Sequence, residues 1–294
     1  MKYLIAGGTG FIGRHLRSEV ERNGDKVTVL TRGEITDGDF IRWDPLSDTS
    51  PKDVDVGSFD IVVNLSGEGI ERRWTSNYKE ILVKSRVRAT SVLVSLINLS
   101  ERKPRYFVNA SAIGYYGNRE SPVDEESPPG NDFLAELCVK WEGEARKIDR
   151  SVKLLIPRFG IVLGNDGGAL PALKTMARYG ITPKSYGSSS WKSWIGISDA
   201  SRSIPFMISN GFSGSYNAVS LNPASLQEFI KGLYNSVGRK PKIHLGKRAF
   251  RLLLGEGSEF SIYGGQNVRP KRLQELGFKF KYDNLESAMR SGGV

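Results

Sequence analysis

The sequence predicts an α/β protein: a Rossmann-like, doubly wound parallel sheet with a smaller C-terminal lobe. Three observations predict it. A short apolar strand runs into a glycine turn, Gly7-Gly8-Thr9-Gly10-Phe11-Ile12-Gly13. A helical pattern follows and gives way to a β-branched run, Lys26-Val27-Thr28-Val29-Leu30-Thr31. Beyond that, buried-type strands keep alternating with helices, as parallel strands joined by crossover helices require.

The first unit is the most specific. Tyr3 to Ala6 reads as a strand ending at Gly7. Phe11, Ile12, His15, Leu16 and Val20 recur at roughly helical spacing, and Asn23-Gly24 is a helix stop. Gly7 lets the chain turn sharply, Gly10 lets a pyrophosphate approach the backbone, and Gly13 lets the helix pack on the strand. The helix start then offers free N–H groups and a positive dipole end to phosphates. The spacing is G-x-x-G-x-x-G rather than G-x-G-x-x-G, but the strand–turn–helix–strand context is complete. Gly7, Thr9, Gly10, Phe11, Ile12 and Gly13 are therefore candidate cofactor-binding residues. The second strand ends Leu30-Thr31-Arg32-Gly33, where an NAD enzyme usually carries an acidic residue for the ribose 2′-hydroxyl. Arg32 can instead pair with a 2′-phosphate, which favours NADP(H) over NAD(H). Glu34, two residues on, is the weaker hydroxyl ligand.

Residues 34–58 are polar and turn-rich, with a short strand at Phe40-Ile41-Arg42-Trp43. Asp60 to Leu65 is a strand ending in Ser66-Gly67, and residues 75–99 form a long helix. Tyr106 to Ser111 is a strand, Phe133 to Ile148 a helix, and Val152 to Ile156 a strand leading to Pro157-Arg158. Ligands of such sheets sit beyond the carboxyl ends of the strands. That adds Leu65, Ser66, Gly67, Asn109, Pro157 and Arg158 to the cofactor set and places Ser111 nearby. The expected division is a cofactor domain over 1–160 and a mixed α/β lobe over 161–294, with some of its strands returning to the main sheet.

Composition narrows the partners. Residues 1–150 hold 22 Lys+Arg against 24 Asp+Glu, and residues 151–294 hold 20 against 8. All the excess positive charge is in the second half, in clusters such as Arg239-Lys240-Pro241-Lys242 and Lys247-Arg248. A solvated basic face is one reading; attraction of an anionic, phosphorylated or nucleotide-linked substrate is the other. Regular aromatic interleaving is missing, so a nucleic-acid partner is not expected. No apolar run reaches the ~20 residues of a bilayer span, and one cysteine, Cys138, allows no internal disulfide. Two histidines and one cysteine make no ordinary zinc site. A cytoplasmic protein with no metal is expected, and a homodimer is compatible with the sequence.

Further motifs carry a family resemblance. Asn64-Leu65-Ser66-Gly67, Ser111 with Tyr116-Gly117, Pro157-Arg158 through Gly164, and Trp194-Ile195-Gly196-Ile197-Ser198-Asp199-Ala200 resemble the extended short-chain dehydrogenase/reductase superfamily. Within it, Ser111-Ala112-Ile113-Gly114-Tyr115-Tyr116-Gly117, Asn131-Asp132-Phe133-Leu134-Ala135 with Trp141-Glu142, and Asn267-Val268-Arg269-Pro270-Lys271-Arg272-Leu273 resemble the atypical group called epimerase family proteins, or nucleoside-diphosphate-sugar epimerases. The resemblance implies the fold, with the smaller C-terminal lobe as a substrate lobe, an NADP-type cofactor, and an oxidoreductase or epimerase acting on a carbonyl or sugar-type substrate.

Standard members use a serine, a tyrosine and a lysine, the last two four apart on one helix face. This chain has no tyrosine between Tyr116 and Tyr179. If Lys140 fills the lysine position, Glu136 stands for the tyrosine; if Cys138 fills it, Leu134 does. Ser111 remains a candidate for a hydrogen bond to substrate or cofactor, or a hydroxyl capping its turn. Tyr115 or Tyr116 is a candidate proton donor, although Tyr116 also reads as loop packing. Lys140 is a candidate ribose ligand or an exposed helix lysine. Cys138 reads as packing, and Trp191 and Trp194 as pocket lining or core. Ser185 to Ser190 is a lid or a surface loop. The missing dyad leaves open a second function, an NADP(H)-binding protein that senses redox state without turnover.

Overall fold

The structure is a computed structural model and describes residues 1–33, 38–46, 54–70, 72–184, 190–258 and 262–294. Glu34 and residues 185–189, which hold most of the lid candidate, lie outside these. A seven-strand parallel path crosses the molecule. It uses β1 (Lys2–Ala6), β2 (Lys26–Thr31), β3 (Phe40–Arg42), β4 (Ile61–Asn64) and β5 (Tyr106–Asn109), then the strands Lys153–Phe159 and Gly214–Ala218. From edge to edge the order is Gly214–Ala218, Lys153–Phe159, β5, β4, β1, β2, β3. Winding therefore runs outward from β1 to β3 and restarts at β4 on the other side of β1. That reversal opens a crevice at the carboxyl ends of β1 and β4.

Helices on both faces explain why the strands read as unbroken apolar runs. Alternate residues of β1 point to opposite sides. Tyr3 and Ile5 pack with Leu16 and Val20 of α1 (Phe11–Arg22) and with Ile204 and Met207 of α5 (Ile197–Ser209). Leu4 and Ala6 pack with Ala89, Leu93 and Ile97 of α2 (Ser76–Leu99). The helix α3 (Phe133–Ala145) lies beside α2. A third apolar cluster joins Leu170 and Ala177 of α4 (Leu170–Arg178), Phe229 and Leu233 of α6 (Leu226–Val237), and Met289 of the helix Leu285–Ser291.

Two elements differ from the sequence expectation. The strand expected to end at Ile156 runs on to Phe159, so Pro157 and Arg158 lie inside it. Pro157 is tolerated because the ladder to β5 lapses there, between Val108↔Leu155 and Ser111↔Arg158. The stretch Ala224 to Ser236, behind Pro223, reads as an amphipathic helix in the sequence, but the helix begins two residues into it, at Leu226. Ala224-Ser225 first pairs with Trp191-Lys192. Ser225 and Glu228 then close a capping box, which satisfies the first N–H groups where a proline cannot.

Candidate functional site

Three of the four glycines of the turn divide by role. Gly7 has φ 80, in the left-handed region. A Cβ on Gly7 would meet the Leu65 carbonyl at 2.8 Å, because Leu65 crosses directly over the turn and donates its N–H to Ala6. A Cβ on Gly13 would lie 2.2 Å from the Gly7 oxygen, backbone against backbone. Gly10 is exposed, and a Cβ there meets only the Gly7 oxygen, at 3.1 Å. Gly10 also forms the N-cap of α1 with no side chain capping the helix. The first N–H groups of α1 thus face the crevice with no intrahelical partner. The cradle fits a dinucleotide pyrophosphate: two glycines close the turn, and the third keeps its surface bare.

The loop after β4 forms the next wall. Ser66 N–H donates to the Asn64 side chain, and Gly67 is covered by Arg86, whose Nη2 donates to the Glu68 carbonyl. Arg32 stands at the end of β2 and donates Nη1 to Glu68 Oε1 at 2.8 Å, while 59% of its side chain stays exposed. The acidic residue near this position therefore orients Arg32, whose other donors remain available to a 2′-phosphate. Thr9 is exposed on the turn, and Ile12 packs into the core.

The second half of the chain closes on the same turn. The Phe11 ring lies under Gly164, Gly167 and Gly168; a Cβ on Gly164 would come within 2.4 Å of it. Asp166, at the tip of this segment, meets Arg14 at 3.1 Å and His15 at 3.0 Å. Burial pushes the Asp166 carboxyl up, but hydrogen bonds from His15 and Arg14 outweigh it and hold the group below the usual range.

On the other side of the crevice, α3 carries no tyrosine–lysine pair. Its inward face presents Leu134, packed on Gly114, and Cys138, whose thiol contacts the Ala112 carbonyl at 3.7 Å. Burial first, and the Glu142 charge second, push the Cys138 thiol up to about 12. Lys140 corrects an expectation: two residues beyond Cys138 the helix has turned ~200°, and Lys140 is exposed on the opposite side. Glu136 is exposed as well. The dyad positions beside Ser111 therefore hold an apolar side chain and an un-ionised thiol.

Beneath them lies a polar network centred on Glu142, which the half-exposed Arg146 joins at 3.2 Å. Ser111 Oγ donates to Glu142 Oε1 at 2.7 Å. Arg158 holds the same carboxylate with two prongs and donates Nη1 to the Tyr116 hydroxyl at 2.9 Å. Tyr116 donates in turn to Asn217 Oδ1 at 2.7 Å. Burial pushes Tyr116 up to about 12, against the opposing pull of Arg158 and Asn217. Three more expectations change here. Tyr116 is fully buried, so its hydroxyl is a packing link rather than an accessible donor. Arg158 is spent on Glu142 and Tyr116, so it braces the site from below. Asn109 is buried and accepts from Asn64 and Thr90, which ties β4, β5 and α2 together under the crevice. Pro157 is part of the same strand and offers no donor.

Tyr115 differs from its neighbour. It is half-buried, and its ring lies 3.5 Å from the Arg158 guanidinium. It is the tyrosine of the motif that keeps surface access. Trp194 is core, and Trp191 is half-buried on its short strand. Sequence reasoning did not single out Glu142 as a site residue, although Trp141-Glu142 was visible as a family mark. It also missed Asp166, whose partners lie about 150 residues away.

Residues 3–218 match the model of the NAD dependent epimerase/dehydratase family, and residues 247–291 match a domain of unknown function, DUF1731. The chloroplastic "Epimerase family protein SDR39U1 homolog" of Arabidopsis thaliana is 36% identical over 301 residues, covering 99% of this chain and 86% of that protein. An epimerase family protein of Staphylococcus aureus is 33% identical over 298 residues, covering 98% and 97%. Among solved structures, the human epimerase family protein SDR39U1 with NADPH superposes with a TM-score of 0.89 at 28% identity, covering 100% of this chain and 99% of that one. A nucleoside-diphosphate sugar epimerase of Corynebacterium glutamicum gives 0.80 at 29% identity, covering 99% of this chain and 58% of the other. The chain, with its parallel sheet, glycine turn and full-length epimerase-type relatives, belongs to the NAD dependent epimerase/dehydratase family.

Proposed function

We propose that the chain is an NADP(H)-dependent oxidoreductase or epimerase of the extended short-chain dehydrogenase type, acting on a small, anionic carbonyl or sugar-type substrate. The observation that carries the cofactor half is Arg32, exposed at the end of β2 and oriented by Glu68 beside a bare glycine turn. The human relative with NADPH supports the same preference. Bound cofactor would supply hydride transfer. The chain's own part is to hold the pyrophosphate at Gly10 and the start of α1, to pair Arg32 with the 2′-phosphate, and to handle a proton. Tyr115 is assigned that proton, because Tyr116 is sealed and α3 offers none. Arg158 stacks against the Tyr115 ring, and the buried Ser111 hydroxyl is held by Glu142, which Arg158 also grips.

A second reading is favoured by one observation, Leu134 and Cys138 in the dyad positions. In that reading the chain binds NADP(H) and reports its redox state to a partner without turnover.

Calorimetric titration with NADPH and NADH, on the native chain and on Arg32→Ala, tests the cofactor half. NADPH is expected to bind about tenfold tighter or more, ~1.4 kcal/mol, and Arg32→Ala to erase the gap. Equal affinities in the native chain would overturn the 2′-phosphate role. Turnover of NADPH with any carbonyl substrate would exclude the sensor reading.

A further inference from the structure

A groove of about 320 Å³ lies away from the cofactor crevice, and none of the site residues above lines it. Its walls are α6 and two short parallel strands, Ile181–Pro183 and Ile243–Leu245. Lys231 stands on α6; Arg239 and Lys240 follow its left-handed Gly238 cap; His244 comes from the second strand. All four are exposed. Among the described residues, Lys231, Arg239 and Lys240 form no ion pair within the chain. Of the neighbouring acids, Glu228 caps Ser225 and also feels the Lys231 charge, and Glu286 holds Asn235 and Arg290.

Helix electrostatics do not account for the cluster. The carboxyl end of a helix carries only about half a negative charge, against three permanent cations and a histidine. A second observation points the same way. Tyr234 lines the groove, is 4% exposed, and its buried hydroxyl has no partner among the described residues. A buried hydroxyl without a partner is uncommon and calls for an explanation.

We infer that this groove is a second ligand site, for a small phosphate-bearing anion held by Lys231, Arg239 and Lys240 with the Tyr234 hydroxyl beneath. Arginine's planar fork suits phosphate oxygens, and lysine adds compact charge. The size argues for a small molecule, because the groove is at the lower end of ligand-pocket volumes of roughly 300–1,000 Å³. A nucleic acid would need an extended basic track with stacking aromatics. The site also gives a role to part of the positive charge that the second half carries.

Inorganic pyrophosphate is the probe, titrated calorimetrically in the presence of saturating NADPH so that the glycine turn is filled. The native chain is expected to bind it saturably at one site. The double variant Arg239→Gln/Lys240→Gln is expected to bind at least about tenfold more weakly with unchanged NADPH affinity and Tm, and Tyr234→Phe severalfold more weakly. Absence of saturable binding, or equal affinity in the native chain and the double variant, would overturn the site. Failure to bind NADPH would instead count against the proposed function. The groove would still be judged by comparing proteins that differ only in its own residues.

Discussion

Arg158 grips the Glu142 carboxylate with Nε at 2.8 Å and Nη2 at 2.9 Å, in a pair where both side chains are almost wholly buried. The pair links α3 to a central strand, directly under Ser111 and Tyr115. Burial by itself would make the Arg158 guanidinium easier to deprotonate, but Glu142 more than compensates and keeps it charged. Glu142→Ala is expected to cost ~3–5 kcal/mol, since it strands a buried charge. Arg158→Ala should cost a similar amount, and the double variant much less than the sum. Urea denaturation of all three variants measures this; additivity within ~0.5 kcal/mol would show that the pair is not coupled.

The glycines of the turn should separate folding from binding. Gly13→Ala puts a Cβ 2.2 Å from backbone oxygen, so both stability and cofactor affinity should fall. The overpacking cost expected is ~1–3 kcal/mol. Gly10→Ala meets only one atom, at 3.1 Å, and should leave Tm nearly unchanged. Its methyl group would occupy the surface meant for phosphate, so NADPH affinity should drop about tenfold or more, ~1.4 kcal/mol. Thermal melts paired with calorimetry check both, and a Gly10→Ala protein that binds NADPH normally would remove the pyrophosphate from this turn.

The adjacent tyrosines should behave oppositely. Tyr116→Phe leaves Asn217 and Arg158 each short of a buried partner, a loss of ~1–3 kcal/mol. Tyr115→Phe keeps the ring on Arg158 and should leave the fold intact while abolishing any NADPH-linked turnover. Chemical denaturation and a spectrophotometric assay distinguish the two. Full activity in Tyr115→Phe would move the proton to another group.

Asp166 predicts a pH dependence. Its folded carboxyl is held below its ordinary value, so its contribution to stability is present above the unfolded value of ~4. That contribution is lost as pH falls through the lower folded value. The side chain is 48% exposed, so solvent limits the gain to ~0–1 kcal/mol. The stability gap between the native chain and Asp166→Asn should therefore hold at pH 5–6 and close below pH ~4. A gap that widened on acidification would contradict the Arg14 and His15 pairing.

Much of this protein was legible in its residues, because the signals are local. Strand, glycine turn and helix follow each other within Lys2 to Arg22, and the left-handed φ of Gly7 and the approach of Gly13 to Gly7 both arise within that stretch. Apolar runs such as Ile61–Asn64 read as buried strands because both of their faces are covered. Arg32 was legible as the candidate for a 2′-phosphate because that position is read at the end of the second strand, a fixed place in such folds.

What the sequence could not decide depends on pairs far apart in the chain. The helix positions Cys138 and Lys140 are two apart, and only packing of α3 against Ala112 and Gly114 showed which faces the site. Glu142 and Arg158 look like an ordinary surface acid and an available arginine until a helix and a strand bury them against each other. Phe11 becomes the floor for Gly164, Gly167 and Gly168 only when the second half folds back over the turn. Local propensity and periodicity set the elements, whereas burial and partner choice arise from long-range packing that no single stretch of chain encodes.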